Sequence, residues 1–100
     1  MQLYIDDERN PKAGVWDIVR SYNAAVHYMC KNGVPLYISF DHDLGDMVPT
    51  GFDIAKWMVE RDLDDKGNFI PKNFEFNVHS ANPIGVANIA GLLNGYLEIR

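Results

Sequence analysis

A single cysteine, Cys30, stands in 100 residues, so the chain can build neither an internal disulfide nor a thiolate zinc site. No apolar run reaches the roughly 18 residues of a membrane helix, and no N-terminal stretch has the charged and apolar regions of a secretory signal. The nine lysines and arginines form no cluster or stripe, which removes the counterion-releasing surface that nucleic-acid binding depends on. Repeats, low-complexity tracts and interdomain linkers are absent too. The expectation is a single soluble, cytosolic domain over residues 1–100, engaging neither a membrane nor bulk nucleic acid. With 47% hydrophobic and 23% charged residues the composition is that of a compact fold. A chain of this length buries roughly 60–70% of its unfolded surface, enough for one core without metal or disulfide support.

What the chain does have is concentrated acid. Fourteen acids against nine bases give a net charge of −5. Four of those acids sit in two short clusters, Asp6-Asp7 and Asp41-x-Asp43, and with these set aside the remainder is nearly balanced. Self-repulsion at two points must therefore be offset by something.

The apolar run Gln2-Leu3-Tyr4-Ile5, halted by Asp6-Asp7-Glu8, suits a buried parallel strand that delivers carboxylates at its C-terminal end. Arg9 to Gly14 is a loop, and Val15 to Arg20 has the β-branched character of a second strand. Ser21 then caps a helix from Tyr22 to Lys31, with Ala25, Val26, Met29 and Cys30 inward and Asn32-Gly33 stopping it. Val15 to Cys30 could equally form one continuous helix. Pro35 to Phe40 is the clearest strand, and it too runs into acids, Asp41-His42-Asp43-Leu44-Gly45-Asp46. Thr50-Gly51 opens a helix from Phe52 to about Asp62 with a stripe of Phe52, Ala55, Met58 and Val59. Phe74 to Val78 is a fourth strand leading into His79-Ser80-Ala81-Asn82. Pro83 fits the first turn of a last helix, capped by Asn82, with Ile89, Leu92, Leu93 and Tyr96 inward. Trp16, Trp57 and Phe76 are expected in the core.

Alternating strands and helices predict a parallel sheet covered on both faces, in which ligands bind outside the carboxyl ends of the strands. That edge collects Asp6, Asp7, Asp41, His42, Asp43, His79 and Ser80. Asp6-Asp7 alone is compatible with a turn or a cap. Joined by Asp41, three carboxylates at one edge would repel unless a hard cation such as Mg²⁺ makes the cluster favourable. Asp41-x-Asp43-x-Gly45 has the start of a calcium loop, but the twelfth position, where that loop needs a bidentate acid, is Phe52. His42-Asp43 follows a strand, unlike the helical pair of histidine-aspartate phosphohydrolases. Ser80 with the N–H groups of the helix entered at Asn82-Pro83 forms a candidate phosphate seat, against the plainer reading of an Asn-Pro helix start with no ligand.

Leu3-Tyr4-Ile5-Asp6-Asp7-Glu8 resembles the first strand of a response-regulator receiver domain, Ile38-Ser39-Phe40-Asp41 its phosphoacceptor strand, and Ser80-Ala81 its strand-four step. The fuller pattern of LYIDDERNP, SFDHDLGD and VHSANPIG resembles the small receiver-like family predicted to process cyclic phosphates, found in bacteria and their phages. The resemblance spans nearly the whole chain. It implies a trimmed flavodoxin-like, three-layer α/β sandwich with a parallel sheet of about four strands, lacking the usual first helix and the fifth strand. It also implies Asp6, Asp7 and Asp41 as ligands of Mg²⁺ or Mn²⁺, with His42, Asp43, His79, Ser80 and Asn82 as the positions that set the family apart. The strand-five lysine of true receivers has no matching segment, which argues against a phosphorelay output. The implied location is the cytoplasm, or a host's cytoplasm if the chain is phage-encoded.

The expected function is metal-assisted cleavage of a small cyclic phosphate, a nucleotide or ADP-ribose derivative. His42 and His79 would be the general base and acid, because imidazole titrates nearest neutrality. Asp43 would orient a histidine, and Ser80 and Asn82 would hold phosphate. The alternatives are a non-catalytic module, a sponge or sensor that captures a phosphorylated nucleotide signal, and a receiver-derived interaction domain.

Overall fold

The computed structural model describes residues 1–100 and contains four strands and three helices. The strands are β1 (Gln2–Ile5), β2 (Asp17–Val19), β3 (Tyr37–Phe40) and β4 (Glu75–Val78), and the helices are α1 (Tyr22–Asn32), α2 (Gly51–Asp64) and α3 (Pro83–Ile99). Each helix starts where its sequence supplies a cap. The Ser21 side chain accepts from the Ala24 N–H at the head of α1, Thr50 and Asp53 form a reciprocal capping box on α2, and the Asn82 side chain accepts from Ile84 and Gly85 ahead of α3. Gly33 closes α1 at φ 81°, a left-handed backbone that glycine adopts without strain. Strand and helix are thus separate across Val15 to Cys30, and β2 is shorter than the expected run, with Val15 almost wholly exposed.

All four strands are parallel in the order β2-β1-β3-β4. The α/β receiver-like architecture expected from the sequence is therefore present. Leu3, Ile5, Val19, Ile38 and Phe40 point to one face, where they join Ala25, Met29, Ile54, Ala55, Met58, Ile89 and Leu93 in a single core. All three helices cover that face. Period-two alternation sends Tyr4, Ile18, Tyr37, Ser39, Glu75 and Asn77 to the other.

The third layer on this second face is loop rather than helix. With β2 and β3 on opposite sides of β1, right-handed crossovers put the β1–β2 connection on the face opposite α1 and α2. That connection, residues 6–16, is too short for a covering helix, and Trp16 folds from it onto the sheet. Its ring meets Tyr4 edge-on at 5.5 Å and Tyr37 at 5.8 Å. Trp57 and Phe76 pack against the core as expected, whereas Trp16 is half-buried on the second face. Cys30, expected inward, is exposed on α1. The apolar stripe of this helix is narrow, and Ala25 and Met29 alone are fully buried on it.

A polar knot fastens the far end of the helical layer. Asp62, 0% exposed on α2, accepts from the Phe69 and Ile70 N–H groups, from the Tyr96 hydroxyl at 2.6 Å and from Arg100 at 3.0 Å. Burial alone would raise the Asp62 pKa, but these donors together hold it below its ordinary value, while burial and the carboxylate push the Tyr96 hydroxyl up to about 12. A depressed carboxyl contributes stability that is full above its unfolded pKa of about 3.9 and is lost as pH falls toward the folded value. Asp62→Ala is expected to destabilise the fold by roughly 3–5 kcal/mol in urea unfolding at pH 7, and to flatten the loss of stability below about pH 4 that the wild type shows.

Candidate functional site

The parallel register places the site. Ile5, Phe40 and Val78 lie in one row across β1, β3 and β4, so the next residues, Asp6, Asp41 and His79, continue that row at the carboxyl edge. Backbone bonds carry the pairing one step further, from Asp41 N–H to Ile5 carbonyl and from His79 N–H to Phe40 carbonyl, both at 2.9 Å. One ligand atom from each of Asp6, Asp41 and His79 falls within 4.8 Å of the others.

Asp6 is 1% exposed and fully engaged. One carboxylate oxygen accepts from the Glu8 and Arg9 N–H groups at 2.9 and 2.8 Å, and the other from Arg9 Nε at 3.1 Å and His79 Nε2 at 3.0 Å. Burial would raise its pKa, but the two backbone donors, His79 and Arg9 outweigh it, and Asp6 titrates below its ordinary value. Because Asp6 stays ionised and can only accept, His79 Nε2 carries the proton. Ser39 Oγ lies 2.7 Å from His79 Nδ1 and donates to it when the ring is neutral. The ring is stacked on Tyr4 at 4.3 Å and 6°.

Asp41 is the opposite case. Burial first, then the Asp6 charge, raises its pKa, and the charges of His79 and Arg9 only temper this. No donor makes a hydrogen bond of ordinary geometry with its carboxylate. Ser80 lies close enough to favour the charged form, and the nearest guanidinium nitrogen, Arg9 Nη2, is 3.8 Å away. Behind it, the start of α2 packs so closely that a Cβ at Gly51 would fall 2.0 Å from the Asp41 carbonyl oxygen.

In front of this row is an open cleft of about 560 Å³, lined by Asp6, Asp7, Arg9, Asp41, Asp43 and Ser80 among others. Asp7 therefore faces the same cleft as Asp6 and Asp41 but is not part of the close trio with His79. Asp43 projects into the cleft with His42 behind it. His42 Nδ1 is 2.9 Å from Asp43 Oδ1, and the Asn82 side-chain amide reaches Asp43 Oδ2 at 3.4 Å. The His42 bond holds Asp43 below its ordinary pKa; burial opposes it, and the Asn82 bond adds a smaller lowering effect. The His42 ring lies on α3, where Gly85 makes room; a Cβ there would sit 2.3 Å from His42 Cγ. Neither histidine ring is on the cleft wall.

Ser80 lines the cleft, accepts from the Asn82 N–H at 3.1 Å and turns its own proton toward the Asp41 side of the cleft. The N-terminus of α3 offers less to an anion than its sequence suggests. Pro83 has no N–H, Ile84 and Gly85 are bonded to the Asn82 side chain, and Val86 is bonded to the Asn82 carbonyl. Sequence reasoning passed over Arg9 and Ser39. The available signals were the spacing of Arg9 three residues after Asp6 and the one small polar residue, Ser39, in a strand of aromatic and aliphatic side chains.

Two buried carboxylates with an imidazole beside them, one carboxylate less well paired than the other, fit a divalent cation that prefers oxygen ligands. A four-stranded parallel sheet with acids at the ends of β1 and β3 and a histidine-serine step after β4 defines a receiver-like domain with an acidic edge site. The chain belongs to the Cyclic-phosphate processing Receiver domain family, whose model matches residues 1–95. No curated protein and no solved structure matches it.

Two substitutions probe the site without a ligand. Asp41→Asn removes a buried charge from beside Asp6, so the metal-free protein is expected to gain about 0.5–2 kcal/mol at pH 7, read by urea unfolding, while losing any rise in melting temperature that millimolar Mg²⁺ or Mn²⁺ produces in the wild type. Gly85→Ala forces the His42 ring off α3 and is expected to cost about 1–3 kcal/mol; an unchanged His42 imidazole signal by NMR would contradict the packing described.

Proposed function

We propose that the protein is a metal-dependent phosphoesterase that opens a small cyclic phosphate, a nucleotide or ADP-ribose derivative. The observation that carries this reading is the convergence of Asp6, Asp41 and His79 behind an acidic cleft in which the Asp41 carboxylate has only Ser80 and a guanidinium at 3.8 Å beside it. An anionic substrate cannot approach such a cleft without a countercharge. Asp6 and Asp41 would hold Mg²⁺ or Mn²⁺, with Asp7 completing the set. When bound, the cation supplies neutralisation of phosphate charge and activation of water.

The chain's own groups divide the remaining work. The Ser80 hydroxyl donates to a phosphate oxygen, and Asn82 orients Ser80 through its N–H and Asp43 through its amide. Ring opening needs a proton at the leaving alkoxide and one removed from water. His42, bonded to the cleft-facing Asp43, and His79, bonded to Asp6, would make these transfers through an intervening water, since neither ring lines the cleft.

The second reading is a binding module that retains a phosphorylated nucleotide signal without cleaving it. Both histidine rings lie off the cleft wall, and both His79 nitrogens are engaged, which suits rigid support of a pocket. Mass spectrometry after incubation with Mg²⁺ or Mn²⁺ and a panel of cyclic mono-, di- and oligonucleotides and ADP-ribose cyclic phosphate separates the two. The enzyme consumes one of them, with His42→Ala and His79→Ala each slowing turnover by about a hundredfold. A ligand recovered intact but retained by the protein replaces the enzyme with the binding module.

A further inference from the structure

The cleft is lined by six acids, Asp6, Asp7, Glu8, Asp41, Asp43 and Asp46, and by one base, Arg9. That base stands between the two buried carboxylates. Its Nε is 3.1 Å from Asp6 Oδ2 and its Nη2 is 3.8 Å from Asp41 Oδ2. Its backbone is fixed at both ends, the N–H donating to Asp6 Oδ1 at 2.8 Å and the carbonyl accepting from Arg20 Nη1 at 2.7 Å. Its side chain, by contrast, is 55% exposed.

We propose that Arg9 is an exchangeable countercharge: without metal its guanidinium bridges Asp6 and Asp41, and when a divalent cation takes that position Arg9 turns into the cleft and binds a phosphoryl group of the ligand. This rests on the metal-site reading above. The Asp41 side chain is only 8% exposed and faces the cleft, with Ser80 beside it and the nearest cation, the Arg9 guanidinium, at 3.8 Å, beyond hydrogen-bond distance. A hard cation would bond carboxylate oxygens at about 2.0–2.2 Å and oppose a positive group on the same pair. Arg9 is then released, but its pinned backbone keeps it at the mouth of the cleft. A guanidinium fork matches phosphate oxygens in geometry as well as charge. The same residue thus weakens metal binding and strengthens anion binding.

Those opposite signs are the test. Titration calorimetry with Mn²⁺ alone is expected to give about three- to tenfold tighter binding for Arg9→Ala than for wild type, since a competing cation is gone. In saturating Mn²⁺, inorganic phosphate is expected to bind Arg9→Ala about tenfold or more weakly than wild type. Equal or weaker Mn²⁺ binding by Arg9→Ala overturns the exchange, as does unchanged phosphate binding, and in either case Mn²⁺ binding that Asp41→Asn abolishes leaves the metal site standing. If neither wild type nor Arg9→Ala binds Mn²⁺, the metal reading fails and the exchange with it.

Discussion

The bond between the Asp6 carboxylate and the groups around it is the constraint on which the carboxyl edge depends. β1 and β4 are not neighbours, since β3 lies between them, and yet His79 from the end of β4 reaches across to Asp6 at the end of β1. The same carboxylate turns the chain at Glu8 and Arg9, so it fixes both the spacing of the strand ends and the start of the loop over the second face. Four donors on one buried anion explain why Asp6 remains charged in a place where burial alone would neutralise it. They also explain why its neighbour does not share that comfort, because the donors that satisfy Asp6 are largely spent before they reach Asp41.

The two buried carboxylates therefore have different tasks. Asp6 is architectural as well as a candidate ligand, and it is stable as an anion in the protein as it stands. Asp41 carries a charge that the fold tolerates without solvating well. The helical side of the sheet, with its apolar core and the satisfied Asp62 knot, supplies the stability against which this strain is held.

Much of this was legible in the sequence because strands in a parallel sheet end together. Apolar runs that halt at Asp6, Asp41 and His79 give the row directly, and Ser21, Thr50 and Asn82 mark helix starts by their capping chemistry. What was not legible depends on distance through space. Ser39 is an ordinary strand residue until the twist of the sheet brings His79 over it. Arg9 reads as loop until Asp6 turns the backbone back on itself. The α3 N-terminus looked like an open seat for phosphate because a sequence shows the presence of Asn82 but not that its side chain occupies the N–H groups. Cys30 has the periodicity of an inward residue on a helix whose buried stripe proved only one residue wide per turn.

The loop of residues 6–16 has two occupations at once. One end of it carries the acidic turn and Arg9, and the other lays Trp16 over Tyr4, whose ring in turn supports His79. A substitution that loosens the cover of the second face is therefore felt under the imidazole, and one that reshapes the acidic turn is felt in how the indole lies on the sheet. Neither half can drift alone. For anyone seeking to graft new recognition onto this scaffold, the β1–β2 loop is the least modular part of the molecule; residues 46–49, exposed beside the cleft, are a better place for change than Leu44, which is buried in the core, or Gly45, whose φ of 127° suits glycine.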